Sequence, residues 1–94
     1  MASLAQPRRE LHSYIRWITI PDMSRVLEIE EQSFQFPWSN QDFLRCLEED
    51  NHLGMVANCD KEGVVGFMIY ELYKSWLVDI INFAVYPACR RMGV

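Results

Sequence analysis

Arg90, Arg91, Met92 and Gly93 are the residues best equipped for chemistry in this chain. They follow the apolar run WLVDIINFAV and the pair Tyr86-Pro87. Successive backbone N–H groups in such a turn can form a concave nest for an anion. Gly93 lets the backbone approach a ligand with no Cβ in the way. A helix starting there would aim its positive end at the same anion. The two guanidinium groups add charge, and a group of pyrophosphate size fits. A basic turn with no ligand accounts for the same residues, because short Gly/Arg motifs recur by chance.

Asp79 and Asn82 are polar residues inside an apolar strand. Side chains alternate along a strand, so a spacing of three places them on opposite faces. Glu30, Glu31 and Glu71 could draw a cation, although a solvated face explains each of them more simply. The three cysteines, Cys46, Cys59 and Cys89, are odd in number and lack CxxC spacing. They read as neither a disulfide framework nor a zinc site. His12 and His52 add no metal-ligand pattern, and no metal is expected.

These residues need a scaffold. YIRWITI (14–20) is rich in β-formers and predicts a first strand, ended by Pro21. Asp22 predicts an N-cap for a helix over 22–34, with Met23, Val26 and Leu27 at helical spacing. Glu28, Glu30 and Glu31 are expected to face water. FPWS (36–39) breaks that helix, and Ser39 with Asp42 predicts a capping box for a second one. Phe43, Leu44 and Leu47 share its face. GMVANC (54–59), the turn DKEG with Gly63 in the loop, and VVGFMIYEL (64–72) predict a β-hairpin. The last strand, 76–85, is apolar on both faces. Leu77, Ile81, Phe83 and Val85 point one way, and Val78, Ile80 and Ala84 the other. That is the pattern of a strand covered on both sides. The predicted order is β-α-α-β-β-β.

Ninety-four residues allow one small domain, and an apolar fraction of 50% means that it folds. The formal charge of −4 and only two lysines argue against a nucleic-acid surface. Residues 1–13 read as an N-terminal extension, in which Arg8-Arg9 is a solvated pair. MASLAQPRRELHSY lacks the apolar core of a secretory signal, and no apolar run approaches a membrane span. A cytoplasmic protein with no membrane partner is expected.

The segment 14–94 resembles the GNAT acyltransferase superfamily, closest to the branch of ribosomal-protein alanine N-acetyltransferases. IRWITIPDMSRVLEIEEQSFQFPWS is similar to that branch's first strand, helix and Phe-Pro-Trp-Ser turn. INFAVYPACRRMGV is similar to its fourth strand running into the acetyl-CoA signature, Gln/Arg-x-x-Gly-x-Gly/Ala. Arg90 would hold the first signature position, Gly93 the fourth and Val94 the fifth. The resemblance implies an α+β, GNAT-like fold with its C-terminal half missing from this sequence.

The resemblance also implies roles. The backbone of Phe83, Ala84 and Val85 would pair with the pantetheine arm of acetyl-CoA. The amides of Arg91, Met92, Gly93 and Val94 would hold its pyrophosphate, with Arg90 flanking, and the Val85 N–H would face the oxyanion. Many family members carry a glutamate where Asp79 stands, and in some it takes a proton from the attacking amine. A buried Asp79 would suit that role, and a structural aspartate bonded to a loop is the favoured alternative. Phe36, Pro37 and Trp38 would line an acceptor groove, or form an aromatic corner between helices.

The implied activity is acetyl transfer to a primary amine, with a protein N-terminal alanine, as on a ribosomal protein, as the acceptor. The 94-residue chain itself is expected to be inactive. The alternative is a non-catalytic fragment that binds acyl-CoA, or that self-associates through the unpaired edge of its last strand.

Overall fold

The computed structural model describes residues 13–90. The signature residues Arg91, Met92, Gly93 and Val94 lie outside them, as does almost all of the N-terminal extension with Arg8, Arg9 and His12. The described elements are β1 (Ser13–Trp17), α1 (Met23–Ser33), α2 (Asn40–Leu47), β2 (His52–Cys59), β3 (Gly63–Lys74) and β4 (Leu77–Val85). Short 3-10 turns sit at Ile20–Asp22 and Pro87–Cys89. The strands form one sheet in the order β1-β2-β3-β4, antiparallel throughout. The element order is the expected one, and the fold is the expected partial GNAT-like arrangement.

β1 is shorter than its β-forming composition predicts. Its pairing ends as the Ile18 N–H donates to the Gly54 carbonyl at 3.0 Å. Pro21 then opens a 3-10 turn, where its missing N–H costs nothing. Asp22 sits at the start of α1, but its carboxylate does not cap that helix. It turns back to accept from Arg16 Nη1 and Nη2, both at 2.8 Å, and from the Thr19 N–H at 2.7 Å.

α1 buries Met23, Val26, Ile29 and Glu30. The expectation that Glu30 faces water fails, for a reason visible on the helix surface. Glu30 stands four residues after Val26, which puts it on the buried face. α2 begins as predicted. Ser39 Oγ accepts from the Asp42 N–H at 3.1 Å, and Asp42 Oδ2 accepts from the Ser39 N–H at 2.9 Å. Phe43 is fully buried and makes edge-to-face contacts with Trp38 (5.0 Å) and Phe67 (5.5 Å). These rings join α2 to β3 at the centre of the core, which also holds Val56, Ile69 and Ala84.

Gly63 turns the hairpin with φ +77°, a conformation that glycine adopts without strain. The hairpin strands run longer than predicted, to His52 and Lys74.

β4 departs from the expected alternation. Ile69 pairs with Asn82 and Tyr70 with Ile80, so Ile81 is an extra residue in a β-bulge. The bulge resets which face each side chain takes. Asp79 pairs with Glu71 and Asn82 with Ile69. Register partners share a face, and Glu71 and Ile69 are two apart, so Asp79 and Asn82 lie on the same face. The assignment of Phe83 and Val85 to the face of Leu77 falls with it, while Ile81 stays on that face and packs against the core. The double covering predicted for β4 is also absent among the described residues. Val78, Ile80 and Phe83 are more than half exposed.

Candidate functional site

The site builds outward from β4. The Tyr86 N–H donates to the Val65 carbonyl at 2.7 Å, which continues the β3–β4 ladder past the last strand residue. Backbone groups alternate inward and outward along an antiparallel strand. The N–H and C=O groups of Phe83 and Val85 therefore point away from β3, toward the open edge, and those of Ala84 point inward. The outward groups form a row that an extended, amide-bearing ligand could complete as an added strand. Of the three residues expected to do this, Phe83 and Val85 present their backbone to the edge. Ala84 is buried and packs in the core.

Two anchors hold the end of β4 against α1. Arg25 lies over the Tyr86 ring, 4.1 Å from its centroid, and its Nε donates to the Val64 carbonyl at 2.8 Å. The Tyr86 hydroxyl donates to Glu28 Oε2 at 3.2 Å. Beyond the 3-10 turn, Arg90 reaches back. Its Nε donates to the Val85 carbonyl at 2.9 Å and its Nη2 to Ser33 Oγ at 2.9 Å. The guanidinium thus occupies one of the outward carbonyls of β4. The rest of the predicted anion-binding turn, Arg91 to Val94, is outside the described residues.

A groove of about 350 Å³ opens between the turn after α1 and the bulge of β4. Phe34, Phe36 and Trp38 line it from one side, and Ile81 and Asn82 from the other, with Glu30 between. Phe36 is 82% exposed, a large apolar cost unless something covers it. Trp38 is half-buried against Phe43, so the aromatic corner and the groove wall are the same residue. Pro37 is exposed and does not line the groove. A larger cavity of about 540 Å³ lies between β1, β2 and α2 and is lined mostly by apolar side chains. It does not touch β4, and volume alone gives it no chemistry.

Sequence reasoning missed the residues that organise this groove. Glu30 is buried, with Oε2 accepting from the Trp38 N–H and Oε1 from Asn82 Nδ2, both at 2.9 Å. One carboxylate therefore ties α1, the Phe-Pro-Trp-Ser turn and β4 together. The available signal was the interruption of the apolar stripe by Glu30 itself.

Asp79 is exposed and stands beside Glu71 and Tyr73 at the far end of β4. The Tyr73 phenol is held above its usual range, first by a hydrogen bond to Glu71 and then by the nearby negative charges. The enclosure expected around a general base at Asp79 is missing among the described residues.

The thiols offer no activated nucleophile. His52 Nδ1 lies 2.7 Å from the Cys46 carbonyl oxygen, a contact that commits its proton to the backbone, and 3.4 Å from Cys46 Sγ. Burial, then Glu49 and Glu71, push the Cys46 thiol up. Burial does the same to Cys59, with Glu62 adding to it. Neither is poised as a thiolate. No group of three potential metal ligands comes together among the described residues.

No curated protein sequence matches the chain. Solved structures do. The ribosomal-protein alanine N-acetyltransferase of Escherichia coli is similar, with TM-score 0.71, 21% identity, and coverage of 85% of this chain and 50% of that one. Ard1 from Thermoplasma volcanium is similar, with TM-score 0.71, 27% identity, and coverage of 85% and 53%. So is AAC(6')-Iy in complex with the bisubstrate analogue CoA-S-monomethyl-acetylneamine, with TM-score 0.67, 17% identity, and coverage of 88% and 63%. The chain spans about half the length of the first two. The acetyltransferase (GNAT) family model matches residues 23–94, most of the sequence. The chain belongs to the GNAT acetyltransferase family.

Proposed function

We propose that this chain carries part of an acetyl-CoA-dependent N-acetyltransferase that acts on a protein N-terminus, with an N-terminal alanine of a ribosomal protein as the first acceptor to test. The observation that carries this reading is a juxtaposition. The outward backbone groups of Phe83 lie one strand position, and those of Val85 three, from Asn82 in the groove walled by Phe36 and Trp38. An extended ligand on the strand edge would meet an acceptor in the groove at the bulge.

When bound, acetyl-CoA supplies an acetyl group activated as a thioester, open to direct attack by a neutral amine. The chain's own residues hold and orient. Phe83 and Val85 offer edge amides to the pantetheine arm. The Val85 N–H points to the side where a developing oxyanion would need a donor. Arg90 brings positive charge to the phosphate end, beside the amides of Arg91 to Val94. Asp79 stays a candidate proton acceptor only for an amine that reaches the far end of β4. A ribosomal acceptor would be met in the cytoplasm. The similar structures include a ribosomal-protein alanine N-acetyltransferase and Ard1, which supports a protein acceptor. A small amine such as an aminoglycoside antibiotic is the competing acceptor.

Calorimetric titration with acetyl-CoA, with coenzyme A as control, tests the reading. Saturable binding that Gly93→Asp abolishes is the expected result, followed by acetylation of an N-terminal alanine peptide in a chain that extends past this segment. Absence of any acetyl-CoA binding would sink it.

A second reading has its own observation. Trp17, Ile15, Ile80 and Phe83 leave the sheet face opposite the helices exposed. The 94-residue chain on its own would then be a non-catalytic, self-associating unit that covers this face with a second copy.

A further inference from the structure

The groove has a mechanical feature that its lining alone does not explain. Among the described residues, Glu30 is a buried carboxylate that accepts only from neutral donors, the Trp38 backbone N–H and Asn82 Nδ2. The ion pairs among the described residues, Arg16–Asp22 and Arg25–Glu28, leave it out. Burying a charge without a cation is costly, and such a group persists where its hydrogen bonds hold something in place. Its two partners belong to the two walls of the groove. Trp38 carries the aromatic turn. Asn82 follows the bulged Ile81, next to the outward amides of β4.

We propose that Glu30 is a positioning residue: a two-armed clamp that sets the distance between the acceptor wall and β4, so that the groove and the strand edge move as one. The role rests on the functional reading above for its consequence, but not for its existence. Glu30 need not touch either ligand. The carboxylate fixes Trp38 through Oε2 and Asn82 through Oε1. Losing either arm frees one wall relative to the other. Glutamine can keep both arms, because its Oε1 can accept from Trp38 while its Nε2 donates to a turned Asn82 amide oxygen. The clamp therefore depends on hydrogen-bond geometry rather than on charge.

Three variants of the full 94-residue chain test this, Glu30→Ala, Glu30→Gln and Asn82→Ala. The first readout is amide exchange followed in nitrogen–proton correlation spectra, which needs no ligand. Exchange of the Trp38 amide should speed up by roughly tenfold or more in Glu30→Ala and stay near wild type in Glu30→Gln. In Asn82→Ala it should stay slow at Trp38 and rise around the bulge. Should Glu30→Ala fail to fold, the other two variants still decide.

The second readout is binding of acetyl-CoA and of a short peptide with a free N-terminal alanine. Peptide affinity should fall by about tenfold in Asn82→Ala, while acetyl-CoA affinity changes by less than about twofold. Unchanged Trp38 exchange in Glu30→Ala, equal loosening in Glu30→Gln, or a parallel loss of both affinities would each overturn the clamp. If the wild-type chain binds neither ligand, the functional reading fails, and the exchange result alone upholds or overturns the clamp.

Discussion

Arg90 Nε donates to the carbonyl oxygen of Val85, 2.9 Å away, so the chain covers part of its own strand edge. An extended ligand pairing with Val85 must displace that contact, and on the proposed reading the freed guanidinium would meet the ligand's phosphates. Arg90→Ala should therefore act differently on two ligands. Affinity for coenzyme A should fall by roughly five- to tenfold, the loss of one charge-assisted contact. Affinity for pantetheine, which lacks the phosphates, should hold or rise. Calorimetry with both ligands checks the split, and equal losses would show that Arg90 only braces the fold.

The Arg16–Asp22 pair makes stability depend on acid. Hydrogen bonds from Arg16 hold the Asp22 carboxyl down at about 2, against an ordinary 3.8; burial opposes them, and Thr19 assists. The folded value is depressed, so the stabilisation is fully present above the unfolded value and is lost as pH falls through about 2. Arg16 is 32% exposed, so water screens the pair and its worth is on the order of 1–2 kcal/mol. Denaturant melts of wild type and Asp22→Asn should differ by about that much near neutral pH. The difference should shrink between about pH 4 and pH 2, and a constant gap would contradict the assignment.

Gly54 packs without a side chain where there is no room for one. A Cβ there would stand 2.6 Å from Ile18 Cγ2 and 2.9 Å from Leu47 Cδ2. Gly54→Ala should cost about 1–3 kcal/mol through overpacking between β2, α2 and the end of β1. The expected measurement is a thermal midpoint several degrees lower, with unchanged far-ultraviolet circular dichroism.

The exposed sheet face should show itself in solution. Ile80 is 54% exposed, on the same strand as Val78 and Phe83. Sedimentation velocity over a wide concentration range should reveal association of the chain. Ile80→Lys, a charge on the edge strand, should shift it toward monomer. A wild-type chain that stays monomeric at high concentration would remove the self-associating reading.

Local chemistry was legible in the sequence, and distant pairing was not. The Ser39–Asp42 capping box and the Gly63 turn are written within four residues each, and both form as expected. The burial of Glu30 depends on partners 8 and 52 positions away, which no helical pattern contains. A carboxylate on a helix reads as solvent-facing by default, and the default failed. The bulge at Ile81 was equally hidden. An apolar residue fits either face of an apolar strand, so alternation alone could not reveal the extra position, and Asp79 and Asn82 were placed apart. The expectation of a buried Asp79 had a separate source, the apolar residues on both faces of β4, which predict a covering that the described residues do not supply. Which of Phe83, Ala84 and Val85 turn their backbone to the open edge depends on the parity of the pairing with β3, which the strand's own sequence does not contain.

The bulge also gives β4 two reading frames. Before Ile81 the odd positions belong to the helix side of the sheet, as Asp79 shows. After it the even positions do, as Asn82 and Ala84 show. A lysine scan along the strand should therefore be tolerated throughout 77–80, where both faces are exposed, and at Phe83 after the bulge, but not at the buried Ala84. Deleting one residue at the bulge would do more than shorten the strand. Either Ile81 alone is lost and the two frames merge, or every downstream side chain trades solvent for core.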